Sequence, residues 1–214
     1  HARNLASAGV NGLMLSWSLG CYPSPNLEIF QAFKTGDTDI GPVLNRLAER
    51  RYGQAAAPLV RQAWTAFSDG FREYPYGGVY YGPHHMGPSN PLYLKPTGYR
   101  ATMVGLPYDS LKLWRSIYPT KVWIGQMEKV RAGFARGCAL WRQVVPRTTG
   151  AAQHAAAREL GLFRAIELHF VSCVNQARFV EARDRLLSSP DEASRAACKA
   201  EVREAVKAEL AAAK

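Results

Sequence analysis

The chain has 214 residues, 47% of them hydrophobic and 21% charged, enough to bury a substantial core as one domain, with or without a subdomain. No window approaches the roughly 18–20 uninterrupted apolar residues of a membrane span, and no secretory leader stands at the front. The net charge of +10 invites a nucleic-acid reading. The excess is spread thinly, however, with one modest concentration at 121–150, which holds six basic residues and one acidic. No Lys/Arg run, RNP-type pattern, zinc-finger spacing or Gly-rich phosphate loop accompanies it, so the excess reads as a solvated basic face, one that also favours an acidic substrate.

The opening HARNLASAGVNG has no initiator methionine. Ala2, Leu5 and Ala6 read as the last turn of a helix closing on Gly9, and the expectation is that an earlier part of the protein precedes them. In VNGLMLSW, the run Val10, Leu13, Met14 and Leu15 predicts a short strand over 10–17, buried on both faces. It leads into a polar, proline-braced loop, SLGCYPSPN, and then into NLEIFQAF, a short helix with Asn26 as its cap and Glu28 in its first turn.

GDTDIGPVLNRLAERRYG predicts a helix capped by Asp39 and stopped by Gly53, with Val43, Leu44 and Leu47 on one face. QAAAPLVRQAWTAFSDGFREYP predicts a second helix, with Val60, Trp64, Phe67 and Phe71 on its apolar stripe. From 74 to 119 the texture changes, and this span holds eight of the ten tyrosines and seven of the thirteen prolines. Such punctuation forbids long regular elements, while the aromatic content argues for an ordered layer, with one short helix where Asp109 caps SLKLWRS.

The remainder reads as helical. Residues 120–145 carry Trp123, Met127, Val130, Phe134, Cys138, Trp141 and Val145 at alternating spacings of three and four, and Pro146 ends the pattern. Residues 151–188 repeat it with Phe163, Ile166, Phe170, Cys173, Ala177 and Val180, so the two should pair as an antiparallel hairpin. The Ala-rich end, 190–214, predicts a solvated helix with a thin stripe of Ala197, Val202, Val206 and Leu210. The fold class is therefore mainly α: a helical domain with one N-terminal strand and a long Tyr/Pro/Gly-rich irregular segment.

Few residues suggest catalysis. Asp69, Glu73 and Asp109 are the carboxylates near the irregular segment, and each has a structural explanation, so no acid/base pair emerges. The adjacent His84 and His85 in GPHHMGP lack a partner ligand and read as solvated loop histidines. Cys21, Cys138, Cys173 and Cys198 show no metal-ligand spacing, and Cys138 and Cys173 fall on apolar helix faces as small buried thiols. Ser16, Ser18 and Ser24 lack the setting of a hydrolase nucleophile. No metal or other cofactor is implied.

Recognition is better supported than proton transfer. Trp17 at the strand end, Tyr22 and Asn26 in the loop, and Tyr80, Tyr81 and Tyr99 in the irregular segment could line a cleft. Flat aromatic faces bury the apolar side of a sugar ring, while amides and hydroxyls take its polar groups.

The blocks GLMLSWSLGCYPSPN, LNRLAERRYG, QAWTAFSDGFREYP, YYGPHHMGPSNPLY and PTGYRATMVGLPYDSLKLWRSIYP resemble the C-terminal portion of large bacterial glycoside hydrolase-like proteins. In these a TIM barrel is followed by a helical domain. The resemblance implies that residues 1–26 end the barrel, with 10–17 as its eighth strand, and that 27–214 form the helical C-terminal domain. It places Trp17 in the wall of a sugar subsite, with Tyr22, Ser24 and Asn26 in the last βα loop, because TIM-barrel sites lie at the carboxyl ends of the strands. It also implies that the missing N-terminal barrel portion supplies the catalytic carboxylates and that this chain alone is inactive. The alternatives are a stand-alone helical interaction or carbohydrate-binding module and a basic helical protein associated with nucleic acid.

Overall fold

A computed structural model describes residues 2–12, 24–34, 39–76, 91–101 and 105–214. The described chain is mainly helical: α1 (Ala2–Ser7), α2 (Pro25–Lys34), α3 (Ile40–Tyr52), α4 (Ala57–Arg72), α5 (Leu111–Trp114), α6 (Thr120–Val144), α7 (Gly150–Ser188) and α8 (Glu192–Ala212). Two two-residue strands, β1 (Arg100–Ala101) and β2 (Leu106–Pro107), pair antiparallel with Arg100 opposite Pro107. Val10 to Gly12 lie in no strand, and the rest of the strand predicted over 10–17 lies outside the described residues. No described helix is long and apolar enough to cross a membrane. The chain forms two compact units, one of residues 1–63 and 140–158, the other of 64–139 and 159–214.

In the first unit, α2 packs against both α1 and α3. The helix α2 starts two residues earlier than its predicted cap allows. Pro25 takes the first helical position, where its missing N–H costs nothing, and Ser24 Oγ accepts from Asn26 N at 3.2 Å. Ser24 is therefore the cap, and Asn26 sits inside the first turn. Asp39 caps α3 by accepting from Gly41 N at 3.0 Å, and Gly53 stops it at φ +83°. Arg61 ties the start of α4 to that of α3 by donating to Gly41 O at 3.0 Å and to Asn45 Oδ1. The core holds Val43, Leu47, Tyr52, Val60, Trp141 and Val144. The Tyr52 and Trp141 rings meet edge to face at 5.2 Å, and Trp141 Nε1 donates to Ala156 O, so the buried indole keeps its hydrogen bond.

The second unit is built on α6 and α7. The alternating three-four spacing places Trp123, Met127, Val130, Phe134 and Cys138 of α6 in the interior, and Phe170, Cys173, Ala177 and Val180 of α7 likewise. Phe134 stacks on Phe170, and Glu128 pairs with Arg178 further along, so earlier α6 residues meet later α7 residues: the pairing is antiparallel. The indole of Trp114 on α5 is buried and donates to Pro107 O at 2.7 Å.

Helix α4 reaches α6 through glycine. A Cβ on Gly133 would stand 2.3 Å from Gly70 Cα, and one on Gly70 would stand 2.7 Å from Gly133 Cα. One turn on, a Cβ at Gly137 would meet the Phe67 ring at 2.2 Å, and that ring is held between Phe134 and Phe163. Phe71, predicted on the buried stripe, is instead 42% exposed beside Tyr74 and Tyr76, because the stripe runs past the crossing.

The buried stripe of α8 also differs from the predicted one. It is Cys198, Val202 and Ala205, with Val206 partly covered, whereas Ala197 and Leu210 are exposed. The reason is polar: Glu209 turns toward α7, accepting from Ser172 Oγ and from Asn175 Nδ2 at 3.0 Å, and this fixes the helix's rotation. Burial, then the nearby Glu209 charge, pushes the Cys173 thiol up, so it stays a neutral packing group.

At the start of α8, Asp191 accepts from Ser194 N and Ser194 Oγ, both at 2.8 Å, and these bonds hold its carboxyl below the usual carboxylate range. A depressed folded pKa means the cap contributes fully above the unfolded-chain value and is lost as pH falls through the folded one. Hydrogen exchange at the Ser194 amide should therefore quicken between about pH 5 and pH 2 beyond its intrinsic pH dependence, and Asp191→Ala should abolish that excess.

Candidate functional site

Of the sugar-binding residues predicted from sequence, Trp17, Tyr22, Tyr80 and Tyr81 lie outside the described residues, as do His84 and His85. The structure brings Ser24 and Asn26 together at the first turn of α2, where Asn26 is exposed and the Ser24 hydroxyl serves the cap. Tyr99 falls in the second unit and is treated with its neighbours below.

From this first turn an open groove of about 700 Å³ runs between α2 and α3, lined by Glu28, Gln31, Val43, Arg46, Leu47 and Arg50, among others. Glu28 is held there by Arg51 Nε at 2.7 Å and by Arg50. Two guanidiniums on one carboxylate stabilise its charged form, the opposite of what a general acid needs. The groove is lined mostly by polar and charged side chains, with the buried Val43 and Leu47 at its floor. Sequence spacing does not mark its arginines as a site, because Glu28 in a first turn and Arg50 and Arg51 in a last turn are simply the charges that helix ends favour.

The three carboxylates weighed for acid/base chemistry are all engaged. Asp69 pairs with Arg72 at 2.7 Å. Glu73 accepts from Lys129 Nζ at 3.0 Å and Gln126 Nε2 at 2.9 Å, and these two bonds, Lys129 first, hold its carboxyl below the usual range. Asp109 does not cap α5. That place is taken by Ser110, and Asp109 is buried against Arg183 with side-chain exposures of 7% and 2%.

In the second unit, Asp109 and Arg183 form a buried, densely hydrogen-bonded polar cluster. Arg183 Nη1 donates to Asp109 Oδ2 at 2.8 Å and to Tyr93 O at 3.3 Å, Nη2 donates to Asp109 O at 2.9 Å, and Nε donates to Asp184 Oδ1 at 2.9 Å. Asp109 accepts in addition from Thr97 N and Thr97 Oγ1, both at 2.9 Å, and Thr97 Oγ1 accepts from Tyr99 N at 3.1 Å. A charge pair without water needs its remaining donors and lone pairs filled, and here they are filled largely by backbone.

Around this clamp stand three tyrosines. The Tyr108 ring lies 6.2 Å from Tyr93 and 6.4 Å from Tyr99, and its N–H donates to Tyr99 O at 3.0 Å. Burial first, then Tyr93 and Asp109, pushes the Tyr108 phenol up, so it remains a neutral hydroxyl at ordinary pH. Among the described residues no group of three or more His, Cys, Asp or Glu side chains could hold a metal ion. No protein-family model matches the chain, and neither a curated protein nor a solved structure does.

Proposed function

We propose that this chain is the C-terminal portion of a carbohydrate-active protein that hydrolyses glycosidic bonds, and that it contributes a wall of the substrate site and helical support. The observation that supports the reading is the sequence pattern of residues 10–26 running into helix α2. An apolar run and a polar loop bearing Trp17 and Tyr22 lead into a helix that begins at a Ser24 cap, as the last βα unit of a barrel does. The engagement of Asp69, Glu73 and Asp109 in ion pairs fits a division of labour in which the catalytic carboxylates belong to the preceding barrel.

In this reading Trp17 stacks on a sugar ring, and Tyr22, Ser24 and Asn26 flank it. Trp17→Ala in the full-length protein is expected to lower kcat/KM on its glycoside at least about tenfold, roughly 1.4 kcal/mol, with an unchanged melting temperature. Unchanged kinetics in a correctly folded variant would remove Trp17 from the site. A reading frame that starts immediately before His1, with no upstream βα units, would overturn the reading as a whole and leave a stand-alone helical module.

A further inference from the structure

We propose that the tyrosine face built on the Asp109–Arg183 clamp binds an anionic saccharide, a separate subsite that rests on the carbohydrate reading above. Tyr99 is 63% exposed, Tyr93 41% and Leu94 66%, an aromatic surface on a segment without long regular structure. Such a segment would ordinarily turn its rings inward. Here it cannot, because the clamp fixes its backbone at each tyrosine. Arg183 holds the Tyr93 carbonyl, Thr97 holds the Tyr99 N–H, and Trp114 holds Pro107 beside Tyr108. A backbone fixed before binding leaves only side-chain rotamers to be ordered when a ligand arrives, and that is how a preorganised site gains affinity.

Charge selects the class of ligand. Across the described residues from 91 to 119, the exposed charged side chains are Lys95, Arg100 and Lys112, all cations; the acid of that span, Asp109, is buried against Arg183, and the half-exposed Asp184 of α7 is paired with the same arginine. Arg100 is the next residue in the chain after Tyr99, and its Nη1 donates to Gly105 O at 3.0 Å. A sugar ring offers an apolar face to a tyrosine and hydroxyls to the phenols, and a carboxylate or sulfate on that sugar answers the cations. Single-stranded nucleic acid also combines rings with negative charge, but successive bases need parallel faces along a basic groove. The Tyr93 and Tyr99 planes are instead tilted by 51° and 74° from Tyr108, and the cations are few.

The test is calorimetric titration of the full chain with a polyuronate, a sulfated polysaccharide, a neutral glucan and single-stranded DNA. The expected result is binding to the polyuronate or the sulfated polysaccharide, with the two arms telling carboxylate from sulfate. Tyr99→Ala should weaken that binding about tenfold at an unchanged melting temperature, Tyr99→Phe should retain most of it, and Arg100→Ala should narrow the preference over the neutral glucan. Glycan binding unaffected by Tyr99→Ala and Tyr93→Ala would overturn this subsite and leave the carbohydrate reading standing, as would equal binding of neutral and anionic glycans for the charge preference. Binding to DNA alone, lost in Tyr99→Ala, would overturn the saccharide assignment in favour of nucleic acid. No binding to any of the four would overturn the subsite, while the Trp17→Ala kinetics judge the hydrolase reading independently.

Discussion

Replacing Gly133 by alanine is expected to lower the melting temperature by about 6–12 °C, the equivalent of about 3 kcal/mol in a chain of this size. The new methyl would stand 2.3 Å from Gly70 Cα, 3.0 Å from Gly70 N and 3.2 Å from Ala66 O. All three are backbone atoms, so no rotamer change relieves the overlap and α4 must move away from α6. That displacement opens gaps around Phe67, whose ring sits between Phe134 and Phe163. Helix propensity works in the other direction, by up to about 1 kcal/mol for Gly to Ala, and it is outweighed. Gly125 on the same helix supplies the control, since a Cβ there meets nothing within 4 Å. Gly125→Ala should therefore stabilise the chain slightly. Thermal unfolding of the two variants side by side separates packing from propensity, and a stable Gly133→Ala would refute the close crossing.

The second large effect is expected at the buried ion pair. Asp109→Ala should cost about 3–5 kcal/mol, because it leaves the Arg183 guanidinium desolvated with its principal acceptor gone. It also strands the Thr97 N–H and hydroxyl. Arg183→Leu should cost a comparable amount by leaving a buried carboxylate. The double variant should be less damaged than the sum by at least about 1 kcal/mol, since each single change leaves the other charge unpaired. Urea denaturation of the four proteins gives the coupling, and strict additivity would show that the pair does not act as a unit. Near-ultraviolet circular dichroism should report the same variants through Tyr93, Tyr99 and Tyr108, whose backbone the clamp holds.

Local signals were legible in the sequence at several places where one turn of chain contains both partners. Asp39 and Gly53 bound α3 as expected, Pro146 ends the α6 pattern, and the stripe from Trp123 to Trp141 is buried. The cap of α2 differs although its signal is local, because Pro25 at the first helical position puts the cap at Ser24, two residues before Asn26. The long-range features were not legible. Asp109 beside a short helix resembles a cap, and nothing within its own segment points to an arginine on α7. Gly70 and Gly133 each look like a tolerated defect in a helix until their backbones are seen to touch. Leu210 fits the apolar stripe of α8 by spacing, yet a Glu209 hydrogen-bonded to Ser172 and Asn175 decides the rotation instead. For the candidate site, the sequence supplied Ser24, Asn26 and Tyr99 as residues but neither the cap that occupies the first nor the clamp that presents the last.

The clamp also sets a schedule for synthesis. Asp109 and Arg183 are separated by 74 residues. At roughly 5–20 residues per second, Asp109 leaves the ribosome about 4–15 s before its partner does. Throughout that interval the tyrosine-bearing segment has no Arg183 to organise it and no completed α7 to lie against, and its rings are open to any apolar surface nearby. Slow translation between the two positions would lengthen this exposure, so the yield of folded chain should depend on the speed at which the α6–α7 hairpin is completed.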